Sequence, residues 1–255
     1  MKILFIGDIF GSTGRKMIGE HLYTLKNKYH VDFVIANGEN AAHGKGMTHK
    51  VYDELVFEGI QAITMGNHTY AKKELFEFID EADRLIVPYN QIKTLPGIGS
   101  RVFKINGQTI RVTNLLGTAF MNGYNSNPFI AMDELLIDCN EDYHIVDFHA
   151  ETTSEKIALS YYLTGKVSAV LGTHTHVQTA DEKIIDGKTA FISDVGMTGP
   201  KHGIIGCSKE SILYKMTTGL NGKFEIEKGE GQLCGVVIDF DSKTHLPLSI
   251  ERIMI

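Results

Sequence analysis

Two histidines flank one threonine in His174-Thr175-His176, directly after the apolar run Val167 to Leu171. Alternate residues leaving a strand point to the same side, so this spacing aims two imidazoles at one place. Neutral imidazole is a good ligand for divalent metals. Four more strand-like runs end in Asp8, Glu39-Asn40, Asn67-His68 and His149, each offering nitrogen or oxygen donors. Singly, each has a plain explanation: Asp8 caps a turn, Asn40 or Asn67 sits in one, and His149 is a hydrogen-bonded core histidine. Together, at successive strand ends, they point to a metal centre.

Hydrophobic periodicity supplies the elements that position them. Lys2 to Ile6, Phe33 to Ala36 and Gln61 to Met65 read as buried strands, each followed by a polar or glycine-containing loop. Helices are expected after each loop: over Met17, Ile18, His21, Leu22 and Leu25, from about His49 to Phe57, and around Leu75, Phe76 and Ile79. This alternation is the signature of a mainly parallel sheet covered by helices. Later, Arg101 to Ile105 and Thr109 to Asn114 flank Asn106-Gly107, a strong hairpin turn. Further strands are expected at Ala190 to Ile192, Ile212 to Met216 and Gly235 to Phe240. The fold class is therefore α/β, two mixed sheets face to face with helices outside, parallel strands early and antiparallel pairs late. In such sheets ligands bind beyond the carboxyl ends of the strands, where all these donors fall.

The 255 residues show no linker, charge block or repeat, so residues 1–255 are expected to form one domain. With 43 % apolar and 22 % charged residues, the composition is that of an ordinary soluble protein. A net charge of -6 argues against duplex DNA as a partner, although bound cations would still admit a small anion. Three scattered cysteines suggest neither disulfides nor a cysteine zinc site. The N-terminus lacks a signal-peptide pattern and no apolar stretch is long enough to span a membrane, so a cytoplasmic location without membrane contact is expected.

In order, Gly7-Asp8, Gly38-Glu39-Asn40, Gly66-Asn67-His68, His149 and Gly172-Thr173-His174-Thr175-His176 resemble the blocks of the calcineurin-like metallophosphoesterases. More narrowly, Gly38-Glu39-Asn40-Ala41-Ala42-His43-Gly44-Lys45-Gly46 and Asp194-Val195-Gly196-Met197-Thr198-Gly199-Pro200 look like the bacterial YmdB-type branch. The resemblance implies a four-layer αββα sandwich and a dimetal phosphodiesterase acting on cyclic nucleotides, most of all the 2',3'-cyclic type, or on RNA ends bearing such a phosphate. It assigns Asp8, Glu39, Asn40 and His176 to one ion, and Glu39, Asn67, His149 and His174 to the other, with Glu39 as the bridge. Two cations roughly 3.5 Å apart lower the pKa of a shared water and clamp an in-line displacement. His68 is then the general acid for the leaving alkoxide.

This chain departs from the broad pattern in having Phe10 in place of a histidine and Glu39 in place of an aspartate. A phenyl ring binds no metal, so Asn40 is expected to complete the first ion's shell. Oxygen in place of imidazole hardens the site, favouring iron or manganese with zinc as a further candidate. Phe10 and Tyr70 are nominated for stacking on a base, and His43 and His202 for lining the pocket. Amide or ester hydrolases that also use His-x-His are disfavoured, because Gln178 and Asp181 do not supply their patterns. The non-catalytic alternative is a regulatory nucleotide- or RNA-linked binding protein, with Phe10 as its mark of a damaged site. A homo-oligomer is left open.

Overall fold

Alternation within the first strand already demands two cores. In the computed structural model, which describes residues 1–121, 123 and 125–255, Ile3 and Phe5 of Lys2–Ile6 face one core, while Leu4 and Ile6 face another. Phe33–Asn37 divides likewise, with Phe33 and Ile35 on the first side and Val34 and Ala36 on the second. A strand apolar on both faces must be covered on both.

The first sheet has six strands in the order Pro247–Met254, Cys234–Phe240, Lys2–Ile6, Phe33–Asn37, Ala62–Thr64 and Leu85–Ile86. The second runs Lys183–Ile185, Thr189–Ile192, Ala169–Thr173, Tyr143–His149, Gln108–Leu116 and Ser100–Ile105. Between them lies a core that includes Ile3, Phe5 and Ile35 from one sheet and Val112, Ile145 and Leu171 from the other. Helices Gly11–Tyr29, His49–Phe57 and Leu75–Phe78 cover the outer face of the first sheet through Ile18, Leu55 and Leu75. Helices Pro128–Leu136 and Thr153–Tyr162 cover the second through Met132 and Leu159. The result is a helix–sheet–sheet–helix sandwich, as the fold class requires.

Several sequence expectations change. Parallel pairing is not confined to the early strands: Gln108–Leu116, Tyr143–His149, Ala169–Thr173 and Thr189–Ile192 are mutually parallel, and antiparallel strands sit toward sheet edges. The expected strand at Ile212 to Met216 lies inside a helix, Lys209–Thr218. Ser208 caps its start by accepting from the Ser211 N–H, and Gly219 ends it with a left-handed φ of 73°. None of its residues is buried, so no helical apolar period marks the sequence. The first helix starts at Gly11, inside the glycine loop, and the helices Pro128–Leu136 and Thr153–Tyr162 were not anticipated. The hairpin at Asn106-Gly107 forms, with φ of 50° and 79° in succession, as a tight turn between twisted strands needs. Among the described residues, no helix is long and apolar enough to cross a membrane.

Candidate metal centre

Five parallel strands from the two sheets release their chains at one edge of the sandwich. Asp8 follows Lys2–Ile6, Glu39 and Asn40 follow Phe33–Asn37, and Asn67 and His68 follow Ala62–Thr64. His149 is the last residue of Tyr143–His149, and His174 follows Ala169–Thr173. The expected residues therefore meet, although 168 positions separate Asp8 from His176.

Around His149 the gathering is tight. Its Nε2 lies 3.0 Å from Asn67 Oδ1, 3.0 Å from His174 Nδ1 and 3.2 Å from Glu39 Oε1. Glu39, His149 and His174 form the one carboxylate–histidine group with metal-ligand spacing among the described residues. Other partners fix each ring. His149 Nδ1 lies 2.8 Å from Thr173 Oγ1, whose own proton goes to Asp147 Oδ1 at 2.7 Å. A hydroxyl that donates to a carboxylate must accept from the ring, so in the neutral ring the His149 proton sits on Nδ1 and Nε2 is the nitrogen left to ligate. His174 is held from the far side, with Nε2 3.0 Å from Glu151 Oε2, so its Nδ1 faces the centre.

The second grouping is looser. His176 points Nε2 inward because its Nδ1 is 2.9 Å from the Ile205 carbonyl. That Nε2 and His149 Nδ1 each stand 3.9 Å from Asp8 Oδ1. Asp8 Oδ2 accepts the His174 N–H at 3.1 Å, but Oδ1 is buried and has no hydrogen-bond partner. A buried carboxylate oxygen without a donor costs free energy, and a cation is the natural remedy. Asn40 is where it was expected, 3.1 Å from His176 Nε2 and 3.0 Å from Glu39 Oε1, but its amide nitrogen faces them while Oδ1 accepts from His68 Nδ1 at 3.0 Å. Phe10 packs edge-to-face with His176, 5.5 Å between ring centroids.

Charge is concentrated here at a cost. Burial pushes the Asp8 carboxyl up to about 6, although His176 and His149 pull it down. Burial also opposes ionisation of Glu39, yet His149 and His68 hold its carboxyl well below the usual range. Burial works against charge on His149 too, but Glu39, Asp8 and Asp147 prevail and raise it to about 9. His174 is pushed down to about 3 by burial and by the neighbouring His149. The backbone makes room at Gly66, where a β-carbon would overlap Glu39 Oε2 and His149 Nε2.

The model of the YmdB-like protein family matches residues 4–253. This chain belongs to the YmdB-like family. It is 50 % identical to a protein of Bacillus subtilis named 2',3'-cyclic-nucleotide 2'-phosphodiesterase, over all of this chain and 97 % of that one. It is 42 % identical to a putative phosphatase/phosphodiesterase of Mycoplasma genitalium, over all of this chain and 93 % of the relative. Among solved structures, a Mycoplasma pneumoniae protein described as a novel phosphatase superposes with a TM-score of 0.95 at 42 % identity, covering all of this chain and 93 % of that one. A putative 5'-nucleotidase from Staphylococcus aureus shares the fold, with a TM-score of 0.60 at 14 % identity over 99 % of this chain and 54 % of that one.

The YmdB-like centre opens into a cavity of ≈ 300 Å³ whose lining includes Glu39, His68, Glu151, His174, His176 and Phe224. Nominations away from the ligand cluster fare unevenly. Phe10 lines the cavity but is only 4 % exposed, in an apolar cluster with Met197 and Cys207, so it offers no free face for stacking. Tyr70 is turned away, its hydroxyl donating to the Pro96 carbonyl. His43 is exposed, and His202 pairs with Glu230 at the surface rather than lining the cavity.

Four supporting residues received no role from the sequence, although Asp194 opens one of the blocks that carry the resemblance. Asp147 had a signal, being an acidic residue in the apolar run Ile145 to Phe148 and two positions before His149. Burial raises its carboxyl, while Thr64, Thr173 and Asn37 donate to it. Glu151 carried a weaker signal, two residues beyond His149. Lys156 carried none: it reads as a solvent-facing helical lysine but lies fully buried, 2.8 Å from the buried Asp194. Asp194 also accepts the Thr175 N–H at 3.0 Å, holding the backbone between His174 and His176, whose φ values are 101° and 66°. That buried pair braces a loop in a conformation unusual for residues with side chains.

Proposed function

We propose that this chain is a dimetal phosphodiesterase that hydrolyses 2',3'-cyclic nucleotides, and RNA ends bearing the same cyclic phosphate. The convergence of Asp8, Glu39, Asn67, His149, His174 and His176 at the strand ends, with His68 facing the same cavity, carries the reading. The named substrate of the Bacillus subtilis relative supports the chemical class. Glu39, Asn67, His149 and His174 would hold one cation; Asp8, Glu39, Asn40 and His176 would hold the other. The mixed set of carboxylate, amide and imidazole donors supports iron or manganese.

Two cations bound there supply an acidified water and neutralise charge on the phosphate oxygens. The chain supplies the rest. Glu39 has two acceptor oxygens and touches both groups through His149 and Asn40, so it would be the ligand shared between the ions. Thr173, Glu151 and the Ile205 carbonyl orient His149, His174 and His176. His68 Nδ1 is engaged by Asn40, which leaves Nε2 for the leaving ribose oxygen; with Asn40 Oδ1 turned to a cation and its Nδ2 donating to Nδ1, Nε2 would carry the proton given up as the bond to phosphorus breaks. Cleavage of the bond to O2' gives a 3'-phosphomonoester. Phe10, the residue that speaks for a non-catalytic binding protein, is accounted for by its packing against His176.

The test is hydrolysis of 2',3'-cyclic AMP and bis-p-nitrophenyl phosphate by protein supplied with manganese or iron, beside a chelated sample. Metal-dependent release of the monoester is expected. A fully loaded protein that binds the cyclic nucleotide without turnover would leave the regulatory reading in its place.

A further inference from the structure

Apart from the cations that the centre would hold, the cavity offers a phosphate little positive charge. Among the described residues, its lining contains no lysine or arginine and two carboxylates, Glu39 and Glu151. Glu39 is enclosed among the ligand residues, only 1 % exposed. Glu151 is different: its side chain is 50 % exposed, and its Oε2 stands 3.0 Å from His174 Nε2. Neither Lys45 nor Lys156 supplies a free positive charge to the lining. Lys45 is exposed and outside the lining, and Lys156 is closed off in its buried pair with Asp194.

Resting on the phosphodiesterase reading above, we propose that Glu151 selects substrate by charge, admitting singly charged phosphodiesters and disfavouring doubly charged phosphomonoesters. A diester carries one negative charge. A monoester, with a second pKa of about 6, carries nearly two at neutral pH. Hydrolysis therefore raises the charge facing Glu151 by almost one unit, and the same repulsion that excludes monoester substrates speeds departure of the monoester product. Charges that share a cavity of ≈ 300 Å³ lie within the Debye length, so the repulsion survives partial screening by salt and is enough for about a tenfold preference.

Glu151→Gln removes the charge while keeping an oxygen that accepts from His174 Nε2–H. The readout is the ratio of kcat/KM for bis-p-nitrophenyl phosphate to that for p-nitrophenyl phosphate, two substrates with one leaving group. We expect it to fall about tenfold in Glu151→Gln, and the gap between native and variant ratios to narrow as ionic strength rises. Calorimetric binding of methyl phosphate and dimethyl phosphate to the metal-loaded protein gives the same comparison without turnover. The monoester should gain affinity in the variant relative to the diester. Unchanged ratios in both measurements would overturn the proposal, as would a Glu151→Ala variant that loses both activities equally while Glu151→Gln behaves as native, since Glu151 would then only position His174. The Glu151 side chain is half-exposed, so its replacement leaves the core untouched. If neither substrate is turned over, the phosphodiesterase reading fails, and the binding ratio still decides the role of Glu151.

Discussion

The two halves of the metal centre are built differently. Around His149, four donor atoms from Glu39, Asn67, His149 and His174 already lie within hydrogen-bond range, and Thr173 and Glu151 hold the two rings from behind. Around Asp8 the nearest imidazole nitrogens stand 3.9 Å away, one carboxylate oxygen has no partner, and Asn40 turns its nitrogen inward. The first half is assembled by the protein's own hydrogen bonds. The second holds unsatisfied polarity that only a ligand relieves. The contrast predicts two cations bound in sequence, the tighter at His149 and the weaker at Asp8.

The largest effect is expected at the centre of the tight half. His149→Ala removes a fully buried ring that meets Glu39, Asn67, Thr173 and His174 at once. Activity should drop by at least about a thousandfold, the scale of losing a principal electrostatic stabiliser. Metal analysis should find the tighter cation gone. Two cations per chain in this variant would mean that the halves are misassigned.

Next comes His68, which touches both halves through Glu39 and Asn40 but need not ligate. His68→Ala should keep both cations and lose about 10²–10⁴ in rate. The loss should shrink for a p-nitrophenolate leaving group, which scarcely needs a proton, relative to a ribose alkoxide. An equal loss on both substrates would reduce His68 to a positioning role.

In the chelated protein the His149 pKa of about 9 exceeds the ordinary 6.5, so the folded state holds a proton that the unfolded chain gives up first. That contribution is fully present below about pH 6.5 and is lost as pH rises through about 9. Denaturant midpoints of chelated protein should therefore fall between pH 7 and 9. Ligation needs the neutral ring, so metal-loaded protein should lack this decline, and loading at pH 7 should release a proton. Calorimetry in buffers of differing ionisation enthalpy measures that release. A chelated His149→Gln variant that still declines would locate the effect elsewhere.

The legible part of this centre was what strand geometry encodes. Residues immediately past a buried strand share an edge whatever their separation in sequence, so Asp8, Glu39, Asn67, His149 and His174 could be gathered from apolar runs alone. What stayed hidden depends on which sheet a strand joins and how helices lie over it. Lys156 looks like any surface lysine until Thr153–Tyr162 presses it against Asp194. Helix Lys209–Thr218 was mistaken for a strand because, with no buried face, its sequence has β-forming residues and no helical period. The early-parallel, late-antiparallel division failed for a similar reason: pairing direction follows from position in the sheet, not from order along the chain. The orientation of Asn40 was equally out of reach, since it depends on three neighbours brought together only by the fold.

That amide also carries the smallest and most discriminating prediction. As it stands, Asn40 Oδ1 accepts from His68 Nδ1–H, so the free Nε2 carries no proton when the ring is neutral. If Asn40 ligates a cation, oxygen must turn inward, and Nδ2 then donates to His68 Nδ1. The ring proton moves to Nε2, the nitrogen that serves the leaving group. One side chain would thus tie occupancy of the weaker half to the readiness of the acid. Asn40→Asp separates the two duties, because a carboxylate ligates as well as the amide but can only accept from the ring. It should retain both cations yet lose about 10–100-fold in rate on cyclic nucleotides, the usual scale for a partner of a ligand or acid. The loss should be smaller on p-nitrophenyl esters. Asn40→Ala should instead weaken the second cation about 10–100-fold and leave the first in place. An Asn40→Asp enzyme as fast as native on both substrates would sever the link to His68. Full occupancy in Asn40→Ala would show that the looser half is completed by some other group.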